Sequence, residues 1–240
     1  MTAASLSPMD TDRWGVVTAK ASHVTADSLR HAMDFCRDNA VEFLIARCST
    51  GDLRAAQAME REGFQIMDTL VYFTRDIARG APRDVGSISI RELSAGEESA
   101  VRQLAGESFS RYIGHYHADS RLDRRQCDET YMDWAHRCCL SKDFADAVLV
   151  AAMDGRVIGF LTLRLNSAEE AEGGLLAVAP EAQGRGIGRS LMVGGIQWCK
   201  ARGTARMVIS TQITNIVVQK MWTRLGFEPS KAFYTFHKWF

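Results

Sequence analysis

Apolar and polar positions along this chain follow two periods, one near two residues and one near 3.6, and the two alternate from end to end. Phe43-Leu-Ile-Ala46 and Thr69-Leu-Val-Tyr-Phe73 are short apolar runs that predict strands. Between them the spacing predicts a helix over Leu53 to Glu62, stopped by Gly63. Ser87 to Arg91 alternates as a half-buried strand, and Glu97 to Phe109 and Arg124 to Leu140 carry helical spacing. Ala147 to Met153 and Val157 to Leu165 flank Asp154-Gly155, a hairpin signal. Leu175 to Val178 reads as a short strand, followed by a glycine-rich loop and a helix from about Arg189 to Ala201 that Gly203 ends. Met207 to Thr211, Asn215 to Leu225 and Phe233 to Phe240 complete the pattern as strand, helix and strand. Strands and helices interleave, so the expected class is α/β, of mixed α and β type.

Gly, Pro and charge concentrate in Ala78-Arg-Gly-Ala-Pro-Arg-Asp-Val-Gly86, which predicts a linker between a segment over 1–80 and a second over 87–240. The two segments echo each other. Asp52 precedes Gly63-Phe64 by the same eleven residues that separate Asn215 from Gly226-Phe227, and each copy runs strand, polar cap, helix, Gly-Phe, strand. A capped helix ended by glycine is common in unrelated settings, but the matched length and flanking strands favour a true repeat. The first copy has no glycine-rich loop.

Composition narrows the partners. Lys plus Arg number 29, as do Asp plus Glu, so no excess of positive charge points to nucleic acid or to an anionic membrane surface. The apolar stretch at Ala147 to Met153 is too short to span a bilayer, and Met1 to Asp12 does not read as a secretory signal. A cytoplasmic location is expected. The six cysteines are scattered without a Cys-x-x-Cys pair, which predicts reduced core residues and no structural metal.

The chemistry concentrates in Val178-Ala-Pro-Glu-Ala-Gln-Gly-Arg-Gly-Ile-Gly-Arg-Ser190. Gly184, Gly186 and Gly188 let the backbone approach a bulky anion, the first N–H groups of the following helix lack internal acceptors, and Arg185 and Arg189 add charge. A pyrophosphate fits such a turn. A dinucleotide fingerprint would need G-x-G-x-x-G and an acidic residue ending the next strand, whereas that strand ends Ile209-Ser210-Thr211.

The Val-x-Pro-x-x-Gln-Gly-x-Gly-Ile-Gly pattern from Val178 to Gly188, with Asn215 and Leu225-Gly-Phe227 behind it, resembles the GNAT superfamily of N-acetyltransferases over about Ser87 to Phe240. The resemblance implies a mixed sheet in which the strands at Leu175 to Val178 and Met207 to Thr211 splay apart to admit the pantetheine arm of acetyl-CoA. With the internal echo, it points to a truncated version of the same fold over 1–80. By the same resemblance Leu176, Ala177 and Val178 lie beside the thioester, Gln183, Gly184, Arg185, Gly186, Ile187, Gly188, Arg189 and Ser190 hold the pyrophosphate, and Asn215 touches the pantetheine. Many members carry a tyrosine four residues before the glycine of Gly-Phe, where it protonates the leaving thiolate. Here that position is Trp222, whose N–H donates a hydrogen bond but is no acid near neutral pH. Tyr234 is a candidate acid in its place.

The truncated front segment and the aromatic stretches Leu104 to Tyr112 and Tyr131 to Trp134 resemble nucleotide-sugar N-acetyltransferases of the TDP-fucosamine (TDP-4-amino-4,6-dideoxygalactose) type. Tyr112, His115 and Tyr116 offer faces for stacking a base or sugar, and Arg111, with Arg121, Arg124 and Arg125, offers charge for a diphosphate. The same residues also read as core aromatics and a solvated basic loop. The amine must lose a proton before it attacks, and His115, His117, Asp119 and Glu172 are the candidate bases. His115-x-His117 lacks an evident third metal ligand. The expected partners are acetyl-CoA and a small amine, with no nucleic acid and no membrane; a homodimer is an option. An acceptor of another kind, a peptide N-terminus, or acyl-CoA binding without catalysis are the alternatives.

Overall fold

The computed structural model describes residues 3–82, 88–110 and 112–240. Residues 83–87, which close the expected linker and open the expected strand after it, lie outside the described residues, as does Arg111.

The first half runs β1 (Ala3–Leu6), α1 (Pro8–Trp14), β2 (Thr18–Ser22), α2 (Leu29–Asp38), β3 (Phe43–Ser49), α3 (Leu53–Arg61) and β4 (Gln65–Asp76). The second runs β5 (Ser89–Glu92), α4 (Glu98–Phe109), α5 (His115–Ala118), α6 (Arg124–Leu140), β6 (Ala147–Met153), β7 (Arg156–Leu165) and β8 (Glu170–Val178). It ends with α7 (Ile187–Ala201), β9 (Arg206–Gln212), α8 (Ile216–Arg224) and β10 (Glu228–Trp239). Asp154 and Gly155 close the β6–β7 hairpin with positive φ of 51° and 78°, the geometry a two-residue hairpin turn requires.

The ten strands among the described residues form one mixed sheet in the order β1-β2-β3-β10-β4-β9-β8-β7-β6-β5. Two stretches share one topology. In each, two antiparallel strands lead into a parallel pair, β2 with β3 in the first and β8 with β9 in the second, then a helix and a closing strand. The closing helices match the repeat in the sequence: Asp52 and Asn215 stand at the N-caps, and Gly63 and Gly226 follow the helices at φ 78° and 82°. Asp52 caps its helix through its side chain, accepting from Ala55 N–H at 2.9 Å, whereas Asn215 turns its amide to Thr211 Oγ1 at 3.0 Å.

The closing strands are exchanged. β4, which closes the first unit, pairs with β9 of the second; β10, which closes the second, pairs with β3 of the first; and β4 and β10 pair with each other. Packing follows the exchange. Phe73 and Ile77 join the core of the second half, and Phe236 joins that of the first. A boundary near residue 80 therefore divides the sequence while the sheet runs unbroken across it.

β8 and β9 pair only from Glu170↔Arg206 to Gly173↔Ile209. Beyond that point β8 continues to Val178 without β9, which leaves a gap in the sheet.

Candidate active site

The gap has donors on one side. Leu175 N–H donates to Thr162 Oγ1 at 2.8 Å and Ala179 N–H to Ile158 O at 2.9 Å, both toward β7. Backbone groups of a strand alternate in direction, so the N–H groups of Leu176 and Val178 turn toward the gap. Val178 O is held by Ser108 Oγ at 3.2 Å and Gln183 Nε2 at 3.1 Å, which ties the strand end to α4 and to the loop that follows.

That loop leads into α7 through two left-handed glycines, Gly184 at φ 76° and Gly186 at 80°. Their role is conformational, since a Cβ on either would meet nothing within 4 Å. Ser190 N–H closes an intrahelical bond to Gly186 O at 3.0 Å, so Ile187 and Gly188, which precede it, have N–H groups with no acceptor inside the helix. Gly184, Arg185 and Gly186 are exposed. Positive φ, open space and N–H groups at the positive end of a 15-residue helix suit a pyrophosphate.

A cavity of about 450 Å³ connects the gap with the first half of the chain. Leu176, Asn215 and Trp222 line it, as do Glu172 and Ser210 beside the gap. From there it extends across one face of the sheet past Tyr72, Leu70 and Asp68 of β4 to Arg47 of β3 and Lys20 of β2, roofed by Tyr112, Tyr131 and Trp134. Of the residues expected to bind the acceptor, Tyr112, His115 and Tyr116 all reach this wall. Burial pushes the Tyr112 hydroxyl up to about 12. Tyr116 is no open stacking platform: it is buried, packs on His115 with ring centroids 3.9 Å apart, and donates its hydroxyl to Asp10 Oδ1 at 2.9 Å.

Of the five candidate acids and bases, His115 and Glu172 line the cavity, whereas Tyr234, His117 and Asp119 do not. Tyr234 packs against the core of the first half, because strand alternation turns it away from Thr235 and His237. His117 is engaged at both ring nitrogens, by Gly114 N–H at 3.1 Å and Asp128 at 3.0 Å. Asp119 is 5% exposed and lies behind the wall. Burial pushes its carboxyl up, and hydrogen bonds from His237, Trp239 and Arg121 N–H outweigh that and hold it at about 2.

Asp119 nonetheless reaches the cavity through a relay. His237 Nδ1 lies 2.8 Å from Asp119 Oδ2, and His237 Nε2 lies 2.9 Å from His115 Nδ1. Burial, with the positive surroundings of His237 and Arg47, pushes His115 well below its ordinary value and keeps it neutral. His237 thus bridges the Asp119 carboxylate to His115, and His115 lines the cavity.

Sequence reasoning missed His237, and it missed Arg47, Asp68 and Tyr72, which the first half supplies to the cavity. A signal was present in Phe43-Leu-Ile-Ala-Arg47, where one arginine interrupts an apolar strand. Trp222 is 4% exposed, packs edge-on against Phe73 and has no hydrogen-bond partner for its N–H. Among the described residues no helix is long and apolar enough to cross a membrane.

The comparisons with known proteins agree with this geometry. Residues 104–227 match the Acetyltransferase (GNAT) family. The chain is 26% identical over 224 residues to a dTDP-fucosamine acetyltransferase of Escherichia coli, covering 92% of this chain and 89% of that protein. It is also 26% identical over 192 residues to a mycothiol acetyltransferase of Cellulomonas flavigena, covering 74% of this chain and 52% of the relative. In fold it is similar to a GCN5-related N-acetyltransferase from Sphaerobacter thermophilus, with a TM-score of 0.66 at 15% identity, over 98% of this chain and 76% of that one. The chain belongs to the acetyltransferase (GNAT) family.

Proposed function

We propose that the chain moves the acetyl group of acetyl-CoA to the primary amine of a nucleotide-linked aminodeoxysugar. The observation that carries this reading is the reach of the cavity from the β8–β9 gap to β2, five strand spacings along the sheet order, or about 24 Å at about 4.8 Å each. An acceptor of that extent is a sugar joined to something longer. The E. coli relative, a dTDP-fucosamine acetyltransferase, supports the same class.

The residues divide the work by position. The turn over Gln183 to Ser190 and the helix start behind it hold the pyrophosphate, and acetyl-CoA supplies the activated thioester. Leu176 and Val178 turn N–H groups into the gap, where they polarise the thioester carbonyl as negative charge grows on its oxygen. The attacking amine must be neutral. Glu172 lines the cavity beside the gap, its Oε2 accepting from Asn166 at 3.1 Å, and serves as the base that takes the ammonium proton. Trp222 shapes the pocket where the thiolate departs and gives up no proton.

Mass spectrometry of products from acetyl-CoA and a panel of nucleotide-linked aminosugars tests the reading, with unlinked aminosugars and other small amines alongside. A single acetyl gain on the linked sugars, absent on the unlinked ones, is expected. Acetylation of the small amines alone favours the second reading, an acceptor without a nucleotide, for which the similarity to the mycothiol acetyltransferase is the supporting observation.

A further inference from the structure

Among the described residues three Lys and Arg side chains line the cavity, and two of them are already neutralised. Arg13 pairs with Asp133 at 2.8 Å and Lys20 with Asp10 at 2.5 Å. Arg47 has no carboxylate partner among the described residues. Its single hydrogen bond there is from Nε to Thr235 Oγ1 at 3.3 Å, which fixes the plane of the guanidinium and leaves the terminal nitrogens to the cavity.

Register makes this placement specific. Thr235 of β10 stands opposite Arg47 on one side and opposite Asp68 on the other, so the three side chains form one row on the cavity face. Arg47 and Asp68 are two strand spacings apart, about 10 Å, and make no ion pair. Asp68 Oδ2 accepts from Gln212 at 3.1 Å, while Asp68 Oδ1 is buried without any partner. A buried carboxylate oxygen without a donor and a guanidinium without an anionic partner, facing one cavity from one row, call for a molecule that supplies both. The required ligand carries a negative group toward β3 and an N–H or O–H toward β4. β4 is the nearer of the two to the gap where the acetyl group arrives.

We propose that Arg47 is the residue that binds the anionic group of the acceptor, a phosphate in the nucleotide-linked sugar, and so selects charged acceptors over neutral ones. This rests on the reading of the acceptor given above. A planar guanidinium held at Nε presents its remaining N–H groups as a fork, the geometry that suits two phosphate oxygens. Asp68 Oδ1 accepts a hydrogen bond from the same molecule and sets its orientation.

The test uses Arg47→Gln and Arg47→Lys with two acceptors, dTDP-linked 4-amino-4,6-dideoxygalactose and the methyl glycoside of the same sugar, which has no phosphate. With the linked sugar, Arg47→Gln raises KM by about 10- to 100-fold, the range for a lost charged hydrogen bond, while kcat stays within about 3-fold. The kcat/KM for the glycoside is unchanged, and Arg47→Lys recovers part of the loss. A second measurement uses inorganic pyrophosphate as the probe, titrated by calorimetry with saturating CoA present so that the phosphate loop is filled. Pyrophosphate binds the wild type, and at least about 10-fold less tightly to Arg47→Gln. Equal losses on both acceptors, or equal pyrophosphate binding by both proteins, overturn the proposal. Arg47-dependent pyrophosphate binding without turnover of the linked sugar upholds the anion site and refutes the nucleotide-sugar reading. Turnover of the linked sugar that Arg47→Gln leaves untouched does the reverse.

Discussion

Trp222 of α8 stands edge-on against Phe73 of β4, ring centroids 5.6 Å apart, so a helix of the second repeat is clasped to the strand given over by the first. The indole fills space at the cavity, and its N–H has no partner. Trp222→Phe therefore keeps the packing and removes an unsatisfied donor, and thermal unfolding should show little loss. Trp222→Ala should cost about 3–5 kcal/mol. Trp222→Tyr should leave turnover similar or higher. A fall in kcat of more than about 10-fold in Trp222→Phe would mean that the indole N–H acts on the departing thiolate.

Gly186 occupies left-handed backbone at φ 80°, at the mouth of α7. Gly186→Glu adds strain of about 1–2 kcal/mol and a negative charge where the pyrophosphate is expected. Calorimetry should show CoA affinity reduced by at least about 10-fold, more than in Gly186→Ala, which carries the strain without the charge. Equal affinities in these two variants would remove electrostatics from the account of the loop.

Asp119 makes the fold sensitive to acid. Its folded value, about 2, lies below the ordinary 3.8, so its contribution is complete above 3.8 and is lost as pH falls through that window toward 2. The size is on the order of 2 kcal/mol. Denaturant unfolding of wild type and Asp119→Asn should differ by that amount at about pH 6 and converge as the pH approaches 2. A constant difference across the range would show that the loss comes from packing.

All six cysteines are free thiols. Burial pushes Cys36, Cys48, Cys127, Cys138 and Cys199 up to about 11, and burial with the neighbouring Cys138 takes Cys139 to about 12. At about pH 8 the thiolate fraction is then on the order of a thousandth. Iodoacetamide should leave the native protein unlabelled on the timescale that modifies free cysteine, and add six groups after denaturation. Rapid native labelling would mark a local opening.

The second half was legible because its signals are local. The Asp154-Gly155 turn, the glycine loop before α7 and Gly226 after α8 each announce an element within a few residues. The repeat was legible too, from Asp52 and Gly63 against Asn215 and Gly226. β1, α1, β2 and α2 were not read, although Leu29, Ala32 and Cys36 make a buried stripe on α2. Tyr234 was misplaced for a different reason. Which face of β10 meets the cavity depends on its register with β3 and β4, nearly 200 and 170 residues away in sequence, and nothing local in Phe233-Tyr-Thr-Phe-His237 states it. The acceptor side was hidden likewise, since Arg47 and Asp68 become neighbours only through Thr235.

The exchanged strands set an order of assembly. β10 begins 179 residues after β3 ends (228 − 49), yet it is the strand that covers β3. During synthesis the hydrogen-bonding edge of β3 must wait, unpaired on that side, while most of the chain is made, and at about 5–20 residues per second that wait lasts on the order of ten seconds or more. An exposed strand edge is a template for association with other chains. The nascent first half is thus a species for chaperones to shelter, and a ribosome stalled before residue 228 would leave both repeats open at once.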